Sequence, residues 1–390
     1  MIPLRYNLRD LLVRKTTSIA AGLGIALVVF VLASSLMLSN GIRQTLGRSG
    51  SPDTAIVLRQ GANAELESAL EDNQMSLVLA AKEVARGPNG QPLGVGELVL
   101  VVALDMIGTE GGVSNVTVRG VPEQVTAFRP ATRIVKGRAA RPGTDEVIIG
   151  KRIAGGRFRG VDLHKSFEVR KNRTVKVVGV FEDEGTSYES EVWGDLHTLR
   201  AAFGRQGYLS SVRVRLTSAA QFDAFKLGIE QNRQLGLKVM RETDFYIEQS
   251  KNMALFIQVI GMLIAVFFSM GAMIGATITM HASVAHRHRE VGTLRALGFS
   301  RSSVLFAFLI ESTTLALCGG AVGAVASLAM GLVRFSMVNM VSWSEVSFSF
   351  EPSPEIVLGS MLFAALMGVV GGFLPALRAA RLQPIVAMRE

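Results

Sequence analysis

Four long apolar stretches limit what this chain can fold into. They run over Ser18–Leu38, Ala254–Met280, Val304–Val333 and Ile356–Leu374. About 20 apolar residues in a helix cross the hydrocarbon core of a bilayer, so each stretch is predicted to be a transmembrane helix. The mean hydropathy of +0.35 and the hydrophobic content of 49% agree with a membrane protein.

Basic residues lie on one side of the predicted membrane segments. They cluster before the first stretch, between the second and third, and after the fourth, as Arg5, Arg9, Arg14, Lys15, Arg287, Arg289, Arg295, Arg301, Arg378, Arg381 and Arg389. Because cytoplasmic loops are enriched in arginine and lysine, both termini are predicted to be cytoplasmic. The expected location is the inner (plasma) membrane, with residues 41–250 in the periplasm. Membrane orientation also accounts for the net charge of +9, and no nucleic-acid partner is expected.

The first apolar stretch is predicted to be a retained span. Residues 1–17 before it carry basic residues among leucines at helical spacing, which favours an amphipathic helix on a membrane face. A cleaved signal peptide is the alternative. The stretch is longer than a usual signal h-region, however, and no clear A-x-A site follows it.

Residues 41–250 have the mixed pattern of an α+β domain. Runs such as Ser211–Leu216 alternate apolar and polar residues, which predicts half-buried strands. Strands are predicted at Ala55–Gln60, Glu97–Leu104, Asn115–Val121, Glu146–Ile149, Thr174–Phe181 and Leu209–Leu216, and helices at Ala64–Arg86, Asp195–Phe203 and Ala219–Gln234. From about Glu242 a helical pattern continues without a breaker into the second apolar stretch. The predicted fold is an α-helical membrane protein with four transmembrane helices, plus a large α+β extracytoplasmic domain inserted between the first two.

The predicted organisation covers the whole chain. It comprises a cytoplasmic amphipathic helix (1–17), transmembrane helices (18–40, 251–280, 304–333 and 356–377), the periplasmic domain (41–250), a cytoplasmic coupling helix (281–303), an extracytoplasmic loop (334–355) and a cytoplasmic tail (378–390). Glycine pairs at Gly271/Gly275, Gly319/Gly323 and Gly368/Gly372 permit close approach of helices. A dimer face is one interpretation of these pairs, and the ordinary use of glycine in membrane helices is the other.

The interval from 281 to 303 is predicted to form a short helix at the cytoplasmic surface. No proline interrupts it, and a helical period is kept by Ala285, His288, Leu294 and Leu297. Gly298 stands where a left-handed glycine would end a helix, and Ser300 is predicted to cap the next one. A short helix held between two spans can transmit a movement of a soluble partner into the membrane.

The run HREVGTLRALGFSRSSVLFAFLIES contains a recognisable pattern. Its matching residues are Arg289, Glu290, Val291, Gly292, Leu294, Arg295, Ala296, Leu297, Gly298 and Glu311. The run resembles the coupling-helix signature of ABC transporter permeases of the MacB, FtsX and LolC/LolE type. The C-terminal GGFLPALRAARLQPIVAMRE and the N-terminal LRYNLRDLLVRKTTSIAAGLGIAL resemble the closing and opening patterns of the same family, so the matches bracket the chain.

The resemblance implies a permease subunit that couples ATP hydrolysis by a separate ATPase to movement of a MacB-like periplasmic core domain. Its ATPase-docking residues are expected to be Arg289, Glu290, Gly292, Leu294, Arg295, Leu297 and Gly298. The expected partners are two copies of the ATPase, a second permease copy, membrane lipid and, in some relatives, a periplasmic adaptor with an outer-membrane channel. The substrate would be a lipoprotein, lipid, peptide or drug. Two alternatives remain open: an FtsX-like regulator of a periplasmic cell-wall hydrolase, and a membrane scaffold without an ATPase.

Motifs for catalysis and metal binding are missing from the sequence. No G-x-x-x-x-G-K-[ST] loop occurs, so ATP and magnesium are expected in the partner ATPase, with no cofactor or catalytic residue here. His286 and His288 are two residues apart, which does not place them on one helix face, so no metal site is predicted. The single cysteine, Cys318, is predicted to be a buried packing residue.

Glu311 is a carboxylate inside the third apolar stretch. A charge at that depth is costly, so Glu311 is expected to face the interior of the helix bundle and to find a partner. A structural bond, a conformational switch and a proton relay are the three interpretations. A relay normally needs further ionisable groups within the spans, so a structural or switching bond to a span-end arginine or a hydroxyl is favoured.

Overall fold

The computed structural model describes residues 15–108, 111–232, 235–339 and 342–382. The chain forms two compact units. The helical unit comprises Met1–Gly41, Ala254–Val333 and Phe350–Glu390, and the sheet unit comprises Ile42–Met253 and Arg334–Ser349. Residues 1–14 of the predicted amphipathic helix and residues 383–390 of the predicted tail lie outside the described ranges.

Within those ranges the chain forms nine α-helices and fourteen β-strands. The helices are α1 (Lys15–Gly47), α2 (Asp72–Leu79), α3 (Val125–Phe128), α4 (Leu196–Phe203), α5 (Phe222–Glu230), α6 (Glu242–His286), α7 (His288–Ala296), α8 (Arg301–Leu328) and α9 (Pro354–Arg381). The strands are β1 (Thr54–Arg59), β2 (Leu70–Glu71), β3 (Gly94–Asp105), β4 (Val113–Val121), β5 (Arg133–Gly137), β6 (Glu146–Gly150), β7 (Ser166–Arg170), β8 (Arg173–Glu182), β9 (Glu191–Asp195), β10 (Tyr208–Leu209), β11 (Ser211–Arg215), β12 (Leu237–Arg241), β13 (Arg334–Asn339) and β14 (Ser344–Ser349).

The helical unit is built from α1, α6, α8 and α9. Of the helices in the described ranges, these four are long and apolar enough to cross a membrane. Helix α6 is continuous from Glu242 to His286, as the unbroken helical pattern predicts. Helix α9 begins with Pro354 in its first turn, where proline is tolerated, and the Ser353 side chain accepts a hydrogen bond from the backbone N–H of Ile356 at 3.3 Å.

Two of the three glycine pairs bring helices together within the chain. A Cβ on Gly319 or Gly323 would lie 2.5 or 2.2 Å from carbonyl oxygens of α1, and one on Gly372 would lie 2.1 Å from the hydroxyl of Ser312 on α8. Only glycine allows these backbones to approach so closely. The dimer-face interpretation is therefore wrong for these two pairs. Positions Gly271/Gly275 have open space around them, with no described atom within 4 Å of an added Cβ.

The sheet unit is formed around one mixed sheet. In the part of the chain that the structure describes, the strand order is β12-β1-β11-β3-β4-β9-β6-β8-β5, with β7 also paired to β8. Pairs β4–β9 and β6–β8 are parallel, and the other pairs of this sheet are antiparallel. The buried apolar side chains of the strands form one core with residues of α4 and α5, including Leu199 and Phe225. The predicted α+β pattern agrees with this sheet.

The prediction of a helix over 64–86 is largely wrong. The segment holds a single 3-10 turn at Glu65–Glu67, the short strand β2 and helix α2. The helical pattern is interrupted because β2 pairs with β10 and because Glu65 is buried among charged partners. Here the tertiary environment overrides local propensity.

The predicted loop at 334–355 contains a β-hairpin. Strands β13 and β14 pair in register from Arg334↔Ser349 to Asn339↔Ser344. The hairpin packs on β4, where the hydroxyls of Thr117 and Ser344 are 2.7 Å apart. Its strands were missed because β14 consists largely of serines and a glutamate beside its apolar residues.

Cys318 is exposed on α8, so the prediction of a buried thiol is wrong.

Candidate functional site

The predicted coupling helix is α7. Helix α6 continues through His286, so the first residues of the predicted 281–303 segment belong to α6, and the backbone breaks at Arg287 (φ −106°, ψ 15°). Helix α7 ends in a Schellman motif: the Gly298 N–H donates to the Arg295 carbonyl and the Phe299 N–H to the Leu294 carbonyl, both at 3.2 Å. Gly298 has a φ of +93°.

The capping predictions for the following turn are confirmed. Ser300 precedes α8, and its hydroxyl accepts a hydrogen bond from the Ser303 backbone N–H at 3.2 Å. The tight turn after α7 therefore uses glycine and serine in the roles that their positions predict.

The structure places most of the predicted docking residues on the accessible side of α7. Arg289, Glu290, Leu297 and Gly298 are exposed, Leu294 and Arg295 are half-buried, and Gly292 is buried. Leu297, which follows the last residue of α7, is 73% exposed. Arg295 donates to the Phe299 carbonyl at 3.1 Å. Gly292 lies instead on the inner face beside Val291, which packs against α6, α8 and α9.

Glu311 pairs with an arginine at the α6–α7 junction. Glu311 is buried on α8, and its carboxylate accepts from the Arg287 guanidinium at 3.1 Å. The same guanidinium donates to Glu290 on α7 at 3.0 Å and lies 5.4 Å from the centre of the Phe308 ring. Arg287 thus joins a half-exposed carboxylate on α7 to a buried one on α8. The resemblance did not name Arg287, although a carboxylate in an apolar stretch signals such a partner.

A second constellation, which the sequence did not predict, is a buried ion network in the sheet unit. Three arginines and four glutamates meet within it: Arg119, Arg129, Arg213, Glu65, Glu97, Glu191 and Glu242. Arg213 and Glu97 are both fully buried and are 2.6 Å apart. A buried charge is tolerated only when it is paired and hydrogen-bonded, and each member here has charged partners.

The arginines of this network lower the pKa of two of its carboxyl groups. Burial alone would raise the pKa of Glu97, but the charges of Arg129, Arg213 and Arg119 outweigh burial and lower it to about 2. Burial likewise opposes ionisation of Glu65, and two arginines hold the pKa of that carboxyl well below its ordinary range. Glu65 and Glu97 are therefore ionised at neutral pH.

The network fixes the start of helix α6. Glu242, its first residue, accepts from Arg213 Nε at 2.9 Å and from the backbone N–H of Ser51 at 3.2 Å. A Cβ on Gly50 would lie 2.7 Å from the Glu242 backbone, so the chain leaving α1 passes directly against the start of α6. The sheet, the residues after α1 and the first turn of α6 are thus tied together within the sheet unit.

Acid is expected to weaken the sheet unit through Glu97. Its pKa falls from 4.5 in the unfolded chain to about 2, so its contribution is complete above about pH 4.5 and is lost as the pH falls toward 2. At about 1.4 kcal/mol per unit this amounts to roughly 3 kcal/mol. Glu97→Gln should therefore lower the unfolding temperature at pH 7, and the difference from wild type should shrink toward pH 2.

Glu146→Gln is the matched control for that measurement. The hydrogen bond that Arg138 donates lowers the pKa of Glu146 to a similar value, but the Arg138 side chain is 46% exposed to water. Water screens exposed pairs, so the control should change stability by less than about 1 kcal/mol. Equal pH profiles for Glu97→Gln and wild type would contradict the assigned role of Glu97.

No metal centre is evident in the described ranges. Across them, no three histidine, cysteine, aspartate or glutamate side chains converge in a way that could hold an ion. His286 and His288 fall on either side of the break at Arg287.

Comparisons with known proteins identify the class. Residues 262–384 match the FtsX-like permease C-terminal family, and residues 18–232, over half of the chain, match the MacB-like periplasmic core domain. The protein is thus a membrane-protein subunit of the ABC transporter class. More narrowly, the chain belongs to the MacB/FtsX family of ABC transporter permeases.

Individual relatives match part of the chain. The macrolide export ATP-binding/permease protein MacB of Escherichia coli O157:H7 is 31% identical over 228 residues, which cover 56% of this chain and 34% of MacB. The uncharacterized ABC transporter permease YknZ of Bacillus subtilis is 31% identical over 210 residues, 51% of this chain and 49% of YknZ. A crystal structure of the periplasmic region of MacB from Actinobacillus actinomycetemcomitans is 12% identical, with a TM-score of 0.37, over 53% of this chain and 95% of that chain. The match thus spans half or less of the length of either full relative.

Proposed function

We propose that this permease couples ATP hydrolysis by a separate ATPase to movement of its periplasmic core domain. The observation that carries the proposal is the Arg287 junction, where one guanidinium connects the accessible helix α7 with the buried Glu311 of α8. Helix α6 ends beside this junction and begins at Glu242, where the ion network binds it to the sheet. A push on α7 would therefore reach both α8 and the start of α6.

The rest of the arrangement follows from the same proposal. The chain would have four spans, cytoplasmic termini and a periplasmic domain inserted between the first two spans, so that α7 would face the ATPase on the cytoplasmic side of the inner membrane. ATP and Mg²⁺ would bind to the partner, because this sequence contains no phosphate-binding loop. The active assembly would hold two permeases and two ATPases. It would drive export or trans-envelope transfer of a lipoprotein, lipid, peptide or drug, with this subunit non-catalytic.

Charge reversal on α7 should weaken binding of the ATPase. Glu290→Lys and Arg295→Glu each place the wrong charge at a docking surface and should reduce association by about tenfold or more. Leu297→Asp should act in the same direction, because it removes an exposed apolar contact. The measurement is affinity purification of the tagged permease from native membranes, with quantification of the co-purified ATPase.

Arg301→Glu is the control for these variants. Arg301 is exposed and equally basic but lies in the first turn of α8, outside the docking helix. Arg295→Glu and Leu297→Asp should insert into the membrane and unfold at the same temperature as Arg301→Glu while recovering less ATPase. Glu290→Lys also breaks the bond to Arg287, so its unfolding temperature should fall as well. Unchanged recovery with all three would remove α7 from the docking surface.

A further inference from the structure

A polar groove in the sheet unit takes no part in the coupling proposed above. It has a volume of about 320 Å³ and lies between the end of β8, the start of β5 and the base of the β13–β14 hairpin. Arg152 contributes to its lining, donating to the Ser347 carbonyl and, at 3.0 Å, to the Gly185 carbonyl. Glu189 pairs with Arg152 at 3.3 Å and accepts from the backbone N–H of Gly185 at 2.9 Å. The groove is therefore built on a largely buried, fully bonded pair.

Charged side chains of both signs line this groove, and only some of them are paired. Lys151 is paired with Glu182 at 2.8 Å. Arg133, Arg334 and Glu184 also line the groove, are exposed, and form no ion pair within the part of the chain that the structure describes. The hydrogen bond that Lys151 donates to Glu182 raises the pKa of Lys151, and the nearby guanidinium of Arg334 opposes that shift. Two unpaired cations and one unpaired carboxylate thus face a shared space.

One residue of this groove has a strained backbone conformation. Glu184 has a φ of +49°, a left-handed conformation that is unfavourable for a residue with a side chain. Glu189 holds this turn by accepting from the backbone N–H groups of Asp183 and Gly185, both at 2.9 Å. Strain that the surroundings enforce is typical of ligand sites.

One lining residue of the groove directly follows an apolar segment in the sequence. Arg334 comes immediately after Val333, at the end of the apolar segment that contains α8. Residues that immediately follow a membrane-crossing helix lie at the depth of the lipid headgroups.

We propose that this groove binds the headgroup of a membrane phospholipid that carries both a phosphodiester and a primary ammonium group. Arg133 and Arg334 donate to the phosphate oxygens, because guanidinium forks match phosphate geometry. Glu184 accepts from the ammonium group. The unpaired charges of the groove then match those of phosphoethanolamine chemistry. This site does not depend on any ATPase partner.

Lipid retention by the full chain tests the site. The protein is placed in nanodiscs that contain equal amounts of phosphatidylethanolamine and phosphatidylcholine, and the lipids that remain bound are counted by native mass spectrometry. Wild type should retain phosphatidylethanolamine. The Arg133→Ala/Arg334→Ala double variant should retain about tenfold less of this lipid. Glu184→Gln should remove the preference over phosphatidylcholine, whose choline has no N–H to donate, while keeping phosphate binding.

The control variant is Arg159→Ala/Arg205→Ala, which removes the same charge from exposed sites outside the groove. Equal retention by the groove and control variants would overturn the proposal. Displacement of phosphatidylethanolamine by an equal concentration of inorganic phosphate would also overturn the proposal, since the site would then bind free phosphate. Because all of these lining residues are exposed, unfolding temperatures should stay at the wild-type value.

Discussion

Replacing Arg213 with methionine should destabilise the sheet unit by about 3–5 kcal/mol, because it leaves buried carboxylates without a counter-charge. Arg213 is fully buried and lies within 3 Å of Glu65, Glu97 and Glu242. Its loss would leave the four glutamates of the network facing two arginines. Proteins are stable by only about 5–15 kcal/mol, so a loss of this size would be visible as a large fall in unfolding temperature.

Trp193 offers a direct readout of this change. Its ring N–H donates to Glu191 of the network at 2.9 Å, and the sequence contains two tryptophans. In a Trp343→Phe background the tryptophan fluorescence therefore reports the surroundings of Trp193, which include the network. Denaturant unfolding of the full chain in detergent then gives the stability difference between Arg213→Met and its parent.

Two further variants separate the network from a general effect of losing an arginine. Arg138→Met breaks a more exposed pair with Glu146 and should lower the unfolding temperature much less than Arg213→Met does. Adding Glu97→Leu to Arg213→Met removes a charge of each sign and should restore part of the loss. An effect of Arg213→Met no larger than that of Arg138→Met would contradict the structural role of the network.

The sequence predicted the helical parts of this fold better than the sheet. Apolar length alone is enough to identify α1, α6, α8 and α9, because membrane helices satisfy their backbone hydrogen bonds internally and need no distant partner. Strand β11 was also predicted, but its alternation suggests that Arg213 faces solvent. The arginine is instead fully buried, because carboxylates distant in sequence come to meet it. No local pattern contains that information.

In the coupling segment, too, local features were predictable from the sequence and long-range contacts were not. Gly298 and Ser300 were predictable, because helix ends use local chemistry that involves only neighbouring residues. That Glu311 needs a partner was predictable, as either a span-end arginine or a hydroxyl, since a carboxylate inside a membrane is costly. Its identity as Arg287 depends on how α6, α7 and α8 pack. Glycine pairs were ambiguous for the same reason: their spacing permits close packing but does not specify whether the neighbour is α1, α8 or a second copy.

Replacing Arg287 with methionine should have the largest effect on coupling. The buried Glu311 carboxylate would lose a guanidinium at 3.1 Å and Glu290 one at 3.0 Å, so α7 would no longer be joined electrostatically to α8. Breaking one side of a buried pair costs about 3–5 kcal/mol, and we expect a lower unfolding temperature in detergent. ATP hydrolysis by the bound ATPase should become independent of the permease.

The double variant Arg287→Met/Glu311→Leu distinguishes a structural bond from a switch. Apolar residues in place of both partners remove the buried charge, so stability should return to near the wild-type value. If the pair only supports the fold, coupling should return with it. We expect coupling to remain lost, because a methionine–leucine contact cannot respond to a change at Glu290, whereas the guanidinium of Arg287 binds both carboxylates. Measuring the unfolding temperature and the permease-dependent ATPase rate on the same preparations decides between the two roles, and recovery of both quantities would assign the pair a purely structural one.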